Sequence, residues 1–190
     1  DDDQAGQVDR VGQGGQVRDA VGGEQGLAAD ELGGDVAELV YTSTDPETAA
    51  AVANYFAGAD RQASAHYCLD EGNIVYQCVE DNNIAWHCGA NSYVHPRCRN
   101  ANSIGIEVRP YKLDKTTAGS AAARDWYFTE KTVDNLVEFT RALMEKYNIP
   151  AENVVRHYDV TGKWCPRPWM GDDMNAYYGT SGNEQWARFK

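Results

Sequence analysis

Arg156-His157-Tyr158-Asp159-Val160-Thr161-Gly162-Lys163-Trp164-Cys165-Pro166 is the stretch on which the reading of this chain turns. Val154 and Val155 precede it, so Val154 to His157 reads as a last strand that delivers an imidazole to a strand end. A Gly-containing loop follows, and a thiol arrives eight residues after the histidine. Imidazole nitrogen and thiolate sulfur are borderline-to-soft donors, the pair that suits a zinc ion. A single His and a single Cys are more often structural than metal-bound, so the rest of the chain has to decide.

Outward from this stretch the pattern is of strands interleaved with helices. Val36, Glu38, Val40 and Tyr41-Thr42 suit a short strand. Asp45-Pro46-Glu47 supplies an N-cap acid and a first-turn proline for a helix from Thr48 to Phe56, stopped at Gly58. Ala65–Leu69 and Ile74–Val79 flank Asp70-Glu71-Gly72-Asn73 as a hairpin, and Ser103–Val108 is a further apolar strand. Thr129 caps a long helix whose apolar face is Val133, Leu136, Val137, Leu143, Met144 and Tyr147, and Asn148-Ile149-Pro150 ends it. Asn183 to Lys190 begins another helix. This alternation predicts an α/β fold, a mixed central sheet flanked by helices.

Residues 1–35 are different in kind, and the remainder, 36–190, reads as one domain. Asp, Gly, Val, Ala and Glu fill thirty of the first forty positions, with no aromatic residue and no lysine. An acidic Gly-rich leader too poor in apolar surface to order itself is one reading. Translation in the wrong frame is the other, because these five residues are the ones whose codons begin with G. The formal charge of −12 divides unevenly. Residues 1–40 carry ten acids against Arg10 and Arg18, a net −8, and 41–190 carry nineteen acids against fifteen bases, a net −4. No basic face for a nucleic acid is implied. No apolar run approaches the roughly 20 residues that span a bilayer, and no secretory signal is visible at Asp1-Asp2-Asp3.

Three further blocks join the His157–Cys165 motif in order: Asn54-Tyr55-Phe56 through Ala63-Ser64-Ala65-His66-Tyr67, then Ala85-Trp86-His87-Cys88-Gly89, then Asn102-Ser103-Ile104-Gly105-Ile106-Glu107. Together they resemble the zinc-dependent N-acetylmuramoyl-L-alanine amidases, the family of phage lysozyme-amidases and peptidoglycan recognition proteins, over roughly residues 39 to 169. The nearest likeness is to the lysins of Gram-positive phages and prophages. The resemblance implies an amidase-like α/β fold and a peptidoglycan hydrolase that cuts the amide between N-acetylmuramic acid and the L-alanine of the stem peptide. Zn2+ is the implied cofactor and bacterial peptidoglycan or muropeptide the implied partner. Without a signal in this sequence, such an enzyme would reach the cell wall by lysis, by a holin or through a precursor segment.

Residue by residue, His157 and Cys165 match two of the family's three zinc ligands. Glu107 matches a carboxylate near the metal, and Lys163 a basic residue able to steady an oxyanion. Trp86, His87 and Tyr67 lie where relatives line the substrate groove. The third ligand, a histidine at the end of the first strand, falls on Val40, which has no donor atom. The alternative function is therefore a peptidoglycan-binding domain that no longer cuts. His66 and His87 match no metal position; His66 reads as a packing residue, and for His87 a structural role stands beside substrate contact. Glu107 and Arg109 share one strand face, so an ion pair is compatible with catalysis. Of the five cysteines, Cys88 and Cys98 flank a loop they can close as a disulfide outside the cell. Cys68 and Cys78 sit on the hairpin arms without facing each other and stay thiols, leaving Cys165 as the odd one, for the metal.

Overall fold

A computed structural model describes residues 36–40, 48–58, 61–116 and 123–190, with 36–40 described as backbone only. The leader 1–35 and the Asp45-Pro46-Glu47 helix start lie outside the described residues. The strands are β1 Val36–Val40, β2 Tyr67–Leu69, β3 Tyr76–Gln77, β4 Ser103–Val108, β5 Tyr111–Lys112, β6 Trp126–Tyr127 and β7 Val154–Arg156. The helices are α1 Ala49–Phe56, α2 Glu130–Tyr147, α3 His157–Thr161 and α4 Gly182–Phe189. Five strands form one sheet in the order β3-β2-β4-β1-β7, and β5 pairs with β6 separately. β1 runs parallel to both β4 and β7, β2 is parallel to β4, and β3 closes the edge antiparallel to β2. The mixed sheet with flanking helices is the fold the sequence predicts.

Alternation along the strands sorts side chains onto two faces. Tyr67 and Leu69 of β2 join Ile104, Ile106 and Val108 of β4, together with Leu136 and Leu143 of α2, Phe128 and Trp169, in the main core. Cys68, between Tyr67 and Leu69, faces the other way and packs on Ala49 and Val52 of α1. Ser103, Gly105 and Glu107 therefore share the Cys68 face. On β7, Val155 packs with Cys88, Cys98 and Val160 in a third buried cluster.

Several expectations need correction. Thr48 caps α1, its hydroxyl accepting from the Ala51 N–H at 3.2 Å. The segment after β7 is not a loop: His157–Thr161 is a helical turn closed by Gly162 at φ 79°, the left-handed conformation that glycine adopts at least cost. α2 starts and stops as read, capped by Thr129 and ended at left-handed Asn148, but its buried stripe includes Thr132 and Thr140 beside Leu136 and Leu143. Cys68 and Cys78 do face each other, with their Sγ atoms 3.5 Å apart. Cys88 and Cys98, at the two ends of their loop, lie together in one buried cluster.

Candidate active site

The four parallel strands β2, β4, β1 and β7 all end on the same side of the sheet. The register pairs Val40 with Glu107 on one flank of β1 and Leu39 with Arg156 on the other. Val40 is thus the next rung level with His157, and Glu107 and His157 leave two strands that flank β1. Two interstrand steps separate those backbones by about 10 Å. The carboxyl ends of parallel strands are where ligands usually meet an open α/β sheet.

His157 is the first residue of α3 and 4% exposed, and Cys165 is fully buried. The loop between them is closed from its own backbone, since the Tyr158 N–H donates to the Cys165 carbonyl at 3.0 Å. Arg156 fixes this turn from below. Its Nε and Nη2 donate to the two oxygens of Asp159 at 3.1 and 2.9 Å, while Nη1 reaches the Trp169 carbonyl at 2.9 Å and Asn183 at 2.8 Å. The Arg156 N–H also donates to Asp159 Oδ2 at 2.9 Å. A two-point guanidinium–carboxylate contact of this kind is rigid as well as strong. Arg156 and Asp159 hold the His157–Cys165 turn, a role the sequence reading missed although their i,i+3 spacing signals it. Behind the turn lies a pocket of about 230 Å³ walled by Tyr158, Trp164 and Trp186, with Arg156, Asp172 and Asn183 among its polar groups.

Glu107 is 7% exposed, with β1 on one side and Cys68 of β2 on the other. Lys163 is exposed on the loop between His157 and Cys165, its N–H donating to Thr161 Oγ1 at 3.3 Å. Trp86 is 57% exposed on a loop pinned to Ser64 by paired hydrogen bonds of 2.9 and 3.0 Å.

Two residues expected at the substrate surface are instead inside. Tyr67 is buried in the main core, and its hydroxyl donates to Asp81 at 2.5 Å. His87 is also buried: its ring lies against Gly105, where an added Cβ would come within 2.3 Å of Cγ. Ser103 Oγ donates to the Arg99 carbonyl at 2.6 Å and so accepts from His87 Nε2 at 3.2 Å. His66, fully buried as expected, accepts from the Gly105 N–H at Nδ1 and donates from Nε2 to the Asn83 carbonyl, both at 3.0 Å. Burial, with His87 adding to it, holds this imidazole down at about 4, so it is neutral.

His157 and Cys165 offer zinc a nitrogen and a sulfur on one closed turn, which fits two places of its coordination shell. Among the described residues no three His, Cys, Asp or Glu side chains gather as a metal group. The rung between Glu107 and His157 is valine.

A family model described as N-acetylmuramoyl-L-alanine amidase matches residues 35–168. A probable N-acetylmuramoyl-L-alanine amidase of Bacillus licheniformis is 32% identical over 140 residues, covering 70% of this chain and 36% of that protein. The amidase BlyA of Bacillus subtilis strain 168 is 30% identical over 148 residues, covering 72% and 37%. The chain thus spans little more than a third of the length of these curated relatives. Among solved structures, a mutant endolysin from Bacillus subtilis superposes with a TM-score of 0.57 at 27% identity, covering 81% of each chain. The catalytic domain of XlyA gives a TM-score of 0.57 at 25% identity, covering 81% of this chain and 82% of that one. With its strand order, its His157–Cys165 turn and this match over most of its length, the chain belongs to the N-acetylmuramoyl-L-alanine amidase family.

Proposed function

We propose that this chain is a peptidoglycan hydrolase that cuts the amide joining the lactyl group of N-acetylmuramic acid to L-alanine of the stem peptide, and that it acts on the bacterial cell wall. What supports the reading is that Glu107 and the His157–Cys165 turn stand at the carboxyl ends of the two parallel strands that flank β1. Zinc is the proposed cofactor, with His157 Nδ1 or Nε2 and Cys165 Sγ as its protein donors. When bound in an open site, such an ion lowers the pKa of water and polarises a carbonyl. Glu107 would accept a proton from the attacking water and pass it to the leaving amine of L-alanine. The Lys163 ammonium, exposed on the same loop as the donors, would steady the charge that develops on the carbonyl oxygen. Exposed Trp86 offers a stacking face to the glycan or stem peptide.

The test is direct. The purified chain, supplied with zinc, is incubated with Gram-positive cell walls and newly exposed L-alanine amino termini are counted. Release should fall about 100-fold or more in Glu107→Gln and vanish in Cys165→Ala. A second reading is favoured by Val40, which leaves the donor set one short: a muropeptide-binding module that no longer cuts. Muropeptide binding without release in the unaltered chain would establish that reading instead.

A further inference from the structure

Cys68 and Cys78 carry chemistry that amide hydrolysis does not use. Their 3.5 Å sulfur contact has a backbone cause. The β2–β3 ladder pairs Tyr67 with Gln77 and Cys68 with Tyr76, making Cys68 and Cys78 diagonal neighbours on one face. Just past β3, the N–H groups of Cys78 and Val79 both point at the His66 carbonyl, at 2.8 and 3.4 Å. Two residues thus oppose one, a bulge that raises the local twist and turns Cys78 toward Cys68. The remaining gap to a sulfur–sulfur bond of about 2.05 Å is some 1.5 Å. It is closed on the side of β3, a two-residue edge strand bonded within the sheet to β2 alone.

Access separates the two thiols. Cys68 is 1% exposed beneath α1, whereas Cys78 is only partly buried. Cys88, Cys98 and Cys165 are all fully buried, so a soluble oxidant meets Cys78 first.

We infer that Cys68 and Cys78 form a modification site, an intrachain disulfide made by exchange with a small disulfide of the glutathione class. The Cys78 thiolate attacks one sulfur of the small disulfide, whose S–S bond breaks and releases one small thiol. The Cys68 thiol then gives its proton to solvent and attacks the Cys78 sulfur, and the second small thiol leaves. Two protein thiols are oxidised to one disulfide, and one small disulfide is reduced to two thiols. The sequence of events follows from the greater exposure of Cys78, and the hydrogen bond with Cys78 and burial together keep Cys68 protonated until its neighbour is activated. The product fastens the edge of the sheet to β2, whose Cys68 is the register partner of Glu107. This inference does not depend on whether the chain cuts its amide.

The full chain is incubated with oxidised glutathione or with a reductant, trapped with an alkylating reagent, and digested without reduction by a protease cutting after Glu71, which separates the two cysteines. A cross-linked pair of peptides carrying Cys68 and Cys78 is expected, with a melting temperature raised by about 5 °C that reverts on reduction. The rise should be absent in Cys78→Ser, while the peptide map of the unaltered chain requires no variant to fold. Alkylation of both cysteines after oxidation, a lasting glutathione adduct on Cys78, or a cross-link to another cysteine would each overturn the assignment.

Discussion

Gly105 has no side chain because His87 occupies the space where one would begin. A methyl group there must displace an imidazole that is itself held by Ser103, and His66 bonds to both the N–H and the carbonyl of the same glycine. Gly105→Ala should destabilise the fold by about 2 kcal/mol, read as a lowered denaturation midpoint, because the core cannot yield without shifting β4 beneath Glu107. Val40→His tests the other side of the site. If the rung between Glu107 and His157 is the third donor position, zinc affinity in a chelator competition should rise at least tenfold, about 1.4 kcal/mol; unchanged affinity would place that donor elsewhere. At this scale the sequence was informative where chemistry is local. His157, Gly162 and Cys165 lie on one short turn and could be read together. The burial of His87 and Tyr67 could not, since each depends on partners distant in the chain, Gly105 for one and Asp81 for the other.

Asp81 joins the β2–β3 hairpin to the last turn of α2. Its carboxylate accepts from Tyr67 and Gln77 on one oxygen, and from Lys146 at 2.8 Å and the Tyr147 hydroxyl on the other. Burial alone would raise its pKa, but the hydrogen bonds from Lys146, Tyr147 and Tyr67 outweigh that and hold it below the usual carboxylate range. Asp81→Asn should cost about 1–3 kcal/mol at neutral pH. Because the folded pKa is the lower one, the stabilisation is present above the unfolded value of about 3.9 and fades as pH falls through the folded value. Urea midpoints of the two proteins should therefore converge on acidification. Elements were legible in proportion to their length. α2 shows its apolar spacing, its Thr129 cap and its Asn148 stop, whereas β5 and β6 are two residues each and have no period to show. α3 read as a loop because five residues cannot display a helical face, and Thr132 and Thr140 were passed over because a hydroxyl hides a buried position.

For the molecule as a whole, His66 adds to the acid sensitivity of stability. Its folded pKa of about 4 lies below the ordinary imidazole value of 6.5, so its contribution is complete above 6.5 and is lost as pH falls toward 4. That interval corresponds to about 3 kcal/mol, and chemical denaturation at pH 7 and pH 4.5 should differ by much of it. A His66→Gln chain should show a flatter profile over the same range. The sheet order has a consequence in time as well as space. β1 lies between two parallel neighbours, β4 and β7, yet Val36 finds its partner at Ser103 and Ala37 finds one at Val154. A ribosome making this chain releases β1 long before either neighbour exists, so it must wait, unpaired, for nearly the whole domain to be synthesised. Assembly is then governed by loop closure and not by local structure, which makes for a slow folder of high contact order. Until β1 seats itself, β4 and β7 each present a bare edge to any other chain nearby.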